Sequence, residues 1–287
     1  MASSIERVIE MVDSFSNQDG NGIWDRRTRF NEILDERNEA VSDVLFKKIG
    51  SPQGYHFLDV GCGGGGTTVR MANSVSSNAH VTGIDISESI VSLAQENMKS
   101  IKNVDFILAD AETYQFGTIK FDGVISRFGV MFFSDPIRAF TNIHGAMREH
   151  AFLTFICWPP RQENAYFYTM TEAVLKHTGK EYRDTGTEPG PLAFSDNAYV
   201  ESILNSSGFS NVSIETVKTQ LSAKMTPEFD AGMHMEYGPS SLLIKDAQPD
   251  EIMKKKIYEE LLSVCTSHQK GEYVSHDAAI NIVSAIA

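Results

Sequence analysis

The chain has 287 residues, of which 41% are apolar, so it is long and apolar enough to form one large domain, with or without an added cap. Its formal charge of -13 opposes binding to phosphate backbones and to anionic lipid, so neither nucleic acid nor a membrane is an expected partner. No run of residues approaches the roughly 20 consecutive apolar positions of a membrane-spanning helix.

The number and spacing of the cysteines indicate the redox state of the cellular compartment. Cys62, Cys157 and Cys265 are widely separated and odd in number, which suits a reducing compartment better than a disulfide framework. The sequence has no CxxC or HExxH pattern, so no metal site is predicted. We therefore expect a cytoplasmic protein, with secretion by a signal that is not readable from these residues as the alternative.

Two helices and then alternating elements are predicted along the first half of the chain. Helical spacing of apolar residues covers 4–14 and 25–49, and Gly50 ends the second helix. Short apolar runs typical of strands cover 56–60, 80–85, 104–109, 121–126 and 151–157. Helical segments between them cover 66–75, 87–99 and 135–149. This alternation predicts a mostly parallel sheet with helices on both faces.

Beyond Trp158 the alternation breaks off in loops rich in proline and glycine. Helices are predicted there over 165–178, 196–206, 228–237 and 248–268. Strands are predicted over 211–223 and 279–287. The segment after the fifth strand is therefore expected to be an insertion, followed by a return to the sheet.

The stretch FLDVGCGGGG, at 57–66, places five glycines directly after an aspartate at the end of the first predicted strand. Ligands of an open parallel sheet bind beyond the carboxyl ends of its strands, where the strand order reverses. Glycine permits positive φ and close approach to the backbone, and the N-terminus of the next helix attracts an anionic group. Either a phosphate or a carboxylate would satisfy such a loop.

Two ligands compete for this loop. Gly61, Gly63 and Gly66 satisfy GxGxxG, which alone suggests a dinucleotide. Asp59 favours another ligand, because its carboxylate would repel a pyrophosphate and attract a cation. A group with an ammonium and a carboxylate, such as the methionine part of S-adenosylmethionine, satisfies both halves of the loop.

The segment from Asp59 to Gly65 resembles the D-x-G-x-G-x-G element of the class I S-adenosylmethionine-dependent methyltransferases. VTGIDIS and FILADAETYQF follow in the family's order, and FDGVISRFGVMFFSDP is similar to its fourth strand and the loop after it. An acidic residue at the place of Asp85 also occurs in Rossmann dehydrogenases, so that position alone does not discriminate. The three elements together carry the resemblance.

The resemblance implies a role for each matching residue in the cofactor site. Asp85 would accept both ribose hydroxyls, Ile86 would pack on the adenine ring, and Asp110 with the backbone amide of Ala111 would read the adenine edge. Ser126 would lie near the methionine part. The implied cofactor-binding residues are Asp59, Gly61, Gly63, Gly65, Asp85, Ile86, Asp110, Ala111 and Ser126.

The implied fold class is α/β, with a Rossmann-like, seven-stranded, mostly parallel sheet flanked by helices on both faces. The predicted parts are an N-terminal helical cap at 1–50, the cofactor-binding core at 51–158, an insertion that caps the acceptor at 159–195 and the rest of the core with added helices at 196–287. The sequence departs from the family at Glu149-His150-Ala151, where Pro-Gly-Gly is common. The last strand also lacks the family's usual aromatic residue.

The acceptor is expected over the carboxyl ends of the fourth and fifth strands. The residues predicted to line its site are Phe128, Met131, Phe132, Trp158, Asn164 and Tyr166. Core packing is the alternative for Met131 and Phe132. Trp24 and Arg29, from the N-terminal helices, are candidates to close over the cofactor.

No residue stands out as a general base, which is needed only if the acceptor holds its proton at a high pKa. His234 and Tyr237 are candidates, with a packing or surface role as the alternative for His234. Cys62 is expected to fill space in the glycine loop, because nothing in the sequence marks it as a nucleophile.

The leading prediction is an S-adenosylmethionine-dependent methyltransferase that moves a methyl group by in-line displacement to a small-molecule acceptor and leaves S-adenosylhomocysteine. The alternatives are an NAD(P)-dependent oxidoreductase that uses GxGxxG, and a non-catalytic protein that binds S-adenosylmethionine and engages a protein partner. A protein acceptor is a further alternative. The sequence predicts neither the acceptor atom nor the oligomeric state.

Overall fold

The computed structural model describes residues 27–183 and 185–287, so the predicted helix at 4–14 and Trp24 lie outside the described residues. The chain divides into two compact units. The sheet unit contains Glu39–Pro160, Thr185–Thr219 and Ala279–Ala287. Among the described residues, the helical unit contains 27–38, 161–183 and 220–278. The division into four parts expected from the sequence stays a prediction.

The described strands are β1 (His56–Val60), β2 (His80–Asp85), β3 (Val104–Leu108), β4 (Phe121–Arg127), β5 (Met147–Cys157), β6 (Ser210–Lys224), β7 (Gln269–Lys270) and β8 (Tyr273–Ile286). The described helices are α1 (Asn31–Arg37), α2 (Glu39–Ile49), α3 (Gly66–Ser74), α4 (Glu88–Met98), α5 (Pro136–Gly145), α6 (Ala165–Thr178), α7 (Asn197–Ser206), α8 (Pro227–Glu236), α9 (Pro239–Ala247) and α10 (Glu251–Ser267).

Within the described residues the strands form one eight-stranded sheet in the order β3-β2-β1-β4-β5-β8-β6, and β7 pairs with β8. The pairs β1–β2, β2–β3, β1–β4 and β4–β5 are parallel, whereas β5–β8 is antiparallel. The order reverses between β1 and β4, which is where an open α/β sheet binds its ligand. The predicted α/β fold class is confirmed, and the additional strand is β7, whose two residues are too few to produce a sequence pattern.

Burial explains why the first strands were readable from the sequence. Phe57, Leu58 and Val60 of β1 are at most 2% exposed, so both faces of this strand are covered. An apolar run of this kind is typical of a parallel strand between two layers of helices. The predicted helix at 165–178 also matches α6, and Asp196 caps α7 by accepting hydrogen bonds from Ala198 N and Tyr199 N.

Several predicted boundaries were wrong. The helix expected over 135–149 ends at Gly145, and β5 begins at Met147. Across β4 and β5, the pairing register shifts between Phe121 and Gly123, and His150 takes a φ of 66°. The unusual Glu149-His150-Ala151 segment is therefore an irregular start of β5, and its polar side chains resemble the exposed face of a helix.

Two further helix predictions need correction. The helix expected over 25–49 is divided at Asn38 into α1 and α2. The helix α9 was not predicted, and it fills most of the interval between the helices expected over 228–237 and 248–268, with Pro239 in its first turn and Gly238 before it at a φ of 98°. Among the described residues, no helix has the length and apolar content needed to cross a membrane.

Candidate cofactor site

The glycine loop follows β1 at the point where the strand order reverses. Gly61 N and Cys62 N both donate to Ile84 O, at 2.8 and 3.1 Å. Gly61, Gly63 and Gly65 have φ values of 67°, 54° and 88°, which side-chain-bearing residues rarely adopt. A Cβ at Gly61 would lie 2.5 Å from the Gly129 Cα. At Gly61, glycine is therefore required by the close approach of the loop after β4.

Asp59 is the buried acid of this site. Its side chain is fully buried, and Oδ2 accepts hydrogen bonds from Thr67 Oγ1 at 2.6 Å and Thr68 Oγ1 at 2.7 Å. Among the described residues, the other oxygen, Oδ1, accepts no hydrogen bond. A buried carboxylate oxygen without a donor is costly, and it marks a place where a ligand donor fits. The two threonines were missed in the sequence, although they directly follow the glycine run.

Burial, hydrogen bonds and neighbouring charges together set the pKa of Asp59. Burial raises its pKa from 3.8 to about 6, while the two threonine hydroxyls and the charge of Arg127 lower it and the charge of Asp85 raises it. Asp59 pairs with Ile125 across β1 and β4, so the Arg127 side chain, two residues further along β4, leaves the sheet on the same face. Asp59 is consequently mostly ionised at pH 7, although it is buried.

Asp85 lies at the end of β2, beside the glycine loop, and is half-buried. Its Oδ2 accepts a hydrogen bond from Gly63 N at 3.0 Å, and its Oδ1 accepts one from Ser87 N at 3.0 Å. The same carboxylate that is predicted to bind ribose thus also fixes the conformation of the glycine loop. Replacing it would disturb both.

The predicted adenine region has an open apolar side chain and an ordered loop. Ile86 is 58% exposed, so its side chain is available to a flat ring. Asp110 Oδ1 accepts a hydrogen bond from Glu112 N, and Asn142 Nδ2 donates to Ala111 O, both at 2.9 Å. The loop after β3 is therefore held in one conformation.

Ser126 connects two backbone segments by hydrogen bonds. Its hydroxyl donates to Val60 O at 2.7 Å and accepts from Gly129 N at 3.2 Å, and the residue is fully buried. These bonds connect the end of β1 to the loop after β4. Contact between Ser126 and the cofactor stays a prediction, and the hydroxyl is already engaged on both sides.

Cys62 is 5% exposed, and its thiol points to Gly63 O at 3.7 Å. Burial and the charges of Asp59 and Asp85 raise the pKa of the Cys62 thiol well above its ordinary value. A protonated, buried thiol is a poor nucleophile, which agrees with the space-filling role expected for it.

The predicted acceptor residues fall in both units. In the sheet unit, Phe128 is half-buried and stacks on Trp158, with ring centroids 4.0 Å apart. Met131 is 1% exposed, and its carbonyl oxygen accepts a hydrogen bond from Gly190 N at 3.0 Å, so it packs in the core. Phe132 is half-buried at the end of the short 3-10 turn that also contains Met131. An acceptor contact is thus better supported for Phe128 than for Met131.

Asn164, Tyr166, His234, Tyr237 and Arg29 belong to the helical unit. Asn164 is fully buried at the start of α6, and Tyr237 packs against the cluster of Phe30, Leu34 and Met233. Arg29 forms an exposed ion pair with Glu236 at 2.8 Å. The predicted closure of Arg29 over the cofactor stays a prediction.

A buried ionic network occupies the helical unit and was not foreseen. Asp230 forms an ion pair with Arg37, and its Oδ2 lies 2.7 Å from His276 Nε2. Arg37 Nη1 also donates to the Tyr166 hydroxyl at 3.4 Å. Asp230 and His234 are fully buried, and the side chains of Arg37, Tyr166 and His276 belong to residues that are at most 7% exposed. Tyr166 is therefore part of this network.

His234 lies beside the same network. Its Nε2 is 3.4 Å from Asp230 Oδ1, yet neither of its ring nitrogens makes a hydrogen bond among the described residues. Burial lowers the pKa of His234 from 6.5 to about 3, against the charge of Asp230. His234 is therefore neutral at pH 7, and it is a weak proton acceptor there because its pKa lies far below that pH, which argues against a role as general base.

The network also contains a spacing that metal ions use. The ligand atoms of Asp230, Cys265 and His276 lie within 4.8 Å of one another, and all three residues are buried. The Arg37 guanidinium already compensates Asp230, and burial raises the pKa of the Cys265 thiol far above its ordinary value. A cation would meet a guanidinium and a protonated thiol, so these residues do not fit a metal ion.

Comparison with known proteins agrees with this architecture. Residues 57–150 match the family described as "Methyltransferase domain". The chain is 30% identical to O-methyltransferase rstn1 of Aspergillus nomiae over 130 residues, which cover 44% of this chain and 56% of that protein. It is 31% identical to demethylmenaquinone methyltransferase of Staphylococcus aureus over 121 residues, 42% of this chain and 50% of that one. The chain thus spans about half the length of these curated relatives.

A solved structure extends the similarity of fold beyond the matched domain. The YcgJ protein of Bacillus subtilis superimposes with a TM-score of 0.52 at 16% identity, over 85% of this chain and 97% of that one. At this identity the comparison concerns the fold alone. Residues 57–150 thus form a methyltransferase domain of the class I S-adenosylmethionine-dependent kind, with S-adenosylmethionine as the cofactor of that domain.

Proposed function

We propose that the protein transfers a methyl group from S-adenosylmethionine to a small-molecule acceptor and leaves S-adenosylhomocysteine. The observation that carries this proposal is the buried, ionised Asp59, whose Oδ1 has no donor among the described residues and lies beside the glycine loop. An ammonium group supplies the missing donor and charge. A diphosphate would bring further negative charge to a buried carboxylate, so a dinucleotide fits this position poorly.

Each remaining part of the ligand has a candidate partner. The N-terminus of α3, directly after the glycine loop, favours the carboxylate of the methionine part. Asp85 is proposed to accept the ribose hydroxyls, Ile86 to pack on the adenine ring, and Asp110 with the Ala111 amide to bind the adenine edge. The exposed Ile86 and the ordered loop at Asp110 support these roles.

Bound S-adenosylmethionine supplies an electrophilic methyl group: its sulfur–methyl bond breaks as the bond to the acceptor forms, and the electron pair remains on a neutral thioether. The chain's contribution is to hold the acceptor in line and to exclude water. Of the two candidate bases for an acceptor that must lose a proton, His234 is disfavoured by its full burial and by its pKa of about 3, and Tyr237 stays a candidate.

Calorimetric titration with S-adenosylhomocysteine tests the proposal. We expect Asp85→Ala to weaken binding about tenfold or more, because buried hydrogen-bonding groups lose their partner. Asp105→Ala is the matched control, since this carboxylate on β3 has a side chain that is 73% exposed. Equal affinities for the two variants would remove Asp85 from the site, and absence of binding to the unchanged protein would refute the proposal.

The two alternatives from the sequence remain testable in the same way. Tighter binding of NADH than of S-adenosylhomocysteine would favour an oxidoreductase. Cofactor binding without methylation of any acceptor would favour a non-catalytic interaction protein. A cytoplasmic location is proposed as well, supported by three cysteines that are all free and buried.

A further inference from the structure

Two aromatic rings stand together where β4 and β5 end in the sheet unit. Phe128 follows the last residue of β4, and Trp158 follows the last residue of β5. Their ring centroids are 4.0 Å apart, and their planes differ by 12°. Trp158 is 8% exposed, whereas Phe128 is half-buried, so Phe128 is the more accessible residue of the pair.

The backbone of Phe128 is in an unusual conformation. Its φ is 65°, a left-handed value that is rare for a bulky side chain and persists only where the surroundings enforce it. Phe128 N donates to Ile156 O at 3.0 Å, and the next residue, Gly129, is bonded to the Ser126 hydroxyl. Strained conformations of this kind concentrate at ligand sites, where they fix a side chain in one direction.

The same loop contacts the glycine loop. Gly129 approaches Gly61 so closely that a Cβ on either residue would lie within 2.7 Å of the other's Cα. Phe128 is therefore adjacent in sequence to a residue that contacts the glycine loop directly. A molecule resting on the Phe128 ring would lie at the carboxyl ends of the strands, on the side where ligands of this fold bind.

We propose that the methyl acceptor presents a flat ring that stacks on the accessible part of the Phe128–Trp158 pair, and this inference rests on the proposed function. Aromatic rings prefer offset-stacked or edge-to-face contact with other rings, so a fixed ring is a selective surface for them. An aliphatic chain needs only apolar surface, which a leucine would supply without the directional ring contact. The enforced orientation of Phe128 thus favours a planar acceptor over a flexible one.

Intrinsic fluorescence gives a direct test, because Trp24 is the other tryptophan in the sequence. In a Trp24→Phe protein saturated with S-adenosylhomocysteine, all tryptophan emission comes from Trp158. Titration with 1,4-naphthoquinone should change its emission in a saturable manner, and 1-decanol should not compete. Phe128→Leu should weaken naphthoquinone binding at least fivefold, and Phe128→Tyr should retain it. Phe229→Leu is the control, since Phe229 is 40% exposed in the helical unit.

Several outcomes would overturn the inference. Purely linear quenching, competition by 1-decanol at similar concentrations, or equal affinity of Phe128→Leu and the parent protein would each do so. If Phe128→Leu fails to fold, as judged by its melting curve, two other results test the inference. Competition by 1-decanol, or loss of naphthoquinone binding in Phe128→Tyr, would overturn it. Calorimetry with S-adenosylhomocysteine separates the two proposals: cofactor binding without a saturable ring signal refutes the planar acceptor only, whereas no cofactor binding refutes the proposed function.

Discussion

Asp59→Asn is expected to make the ligand-free protein more stable, relative to the parent, as pH rises from 4.5 to 7, and to weaken cofactor binding. Burial raises the pKa of Asp59 from 3.8 to about 6, so the folded state binds this proton more tightly than the unfolded chain does. The contribution of Asp59 to stability therefore falls as pH rises from 3.8 to about 6. The difference between the two values corresponds to a cost of about 3 kcal/mol at pH 7 and about 1 kcal/mol at pH 4.5.

Asparagine removes this cost, because it has no charge to bury. Its carbonyl oxygen is able to accept from Thr67 and Thr68 as Asp59 Oδ2 does. Its amide N–H groups would be buried without acceptors, which offsets about 1–3 kcal/mol at every pH. The diagnostic quantity is therefore the pH dependence: relative to the parent protein, the variant should gain about 2 kcal/mol between pH 4.5 and pH 7.

Urea unfolding at pH 4.5 and pH 7 measures both free energies of unfolding. Asp105→Asn serves as the control, because its side chain is 73% exposed and no burial cost is removed. Titration with S-adenosylhomocysteine at pH 7 should show at least tenfold weaker binding for Asp59→Asn. The reasoning fails if the stability difference between variant and parent is the same at both pH values, or if the variant binds the ligand unchanged.

Two further predictions concern the glycine loop and the helical unit. Gly61→Ala should destabilise the fold much more than Gly117→Ala. Both glycines have φ values near 66°, but a Cβ at Gly61 would meet Gly129, whereas a Cβ at Gly117 would meet nothing within 4 Å. Similar urea midpoints for the two variants would contradict this prediction. His234, which faces Asp230, Arg37 and His276, should cost stability as pH falls from 6.5 towards 3, because its pKa in the folded state is about 3 and the unfolded chain is protonated first. His234→Gln should reduce that acid-induced loss relative to the parent at each pH, and an unchanged acid profile would exclude His234 as its source.

Strands with two covered faces were predictable from the sequence, and the polar contacts between them were not. His56–Val60 and His80–Asp85 were read with the observed boundaries, since each contains buried apolar residues: Phe57 and Leu58 in the first strand, and Val81 and Ile84 in the second. The glycine run located the loop, but not the contact of Gly61 with Gly129, because residues about 70 positions apart leave no local pattern. The start of β5 was read as helix because its side chains at 148–150 are exposed and polar.

The buried network of the helical unit shows the same limit. Asp230 lies in FDAGMHMEYGP, where an acid in a predicted helix is indistinguishable from a solvated position. Its partners Arg37 and His276 come from distant segments of the chain, and only the fold brings them together. Charge burial is a tertiary property, so Tyr166 was assigned to the acceptor while its hydroxyl accepts a hydrogen bond from Arg37.

A crystal structure of the protein with S-adenosylhomocysteine tests the central claim most directly. The quantity to measure is the distance between the ligand's ammonium nitrogen and Asp59 Oδ1. We predict hydrogen-bond contact, at about 3 Å or through one water molecule, with the ribose hydroxyls on Asp85. A ligand bound with its amino-acid tail away from Asp59, or a site beside the glycine loop that remains empty at saturating ligand, would contradict the account.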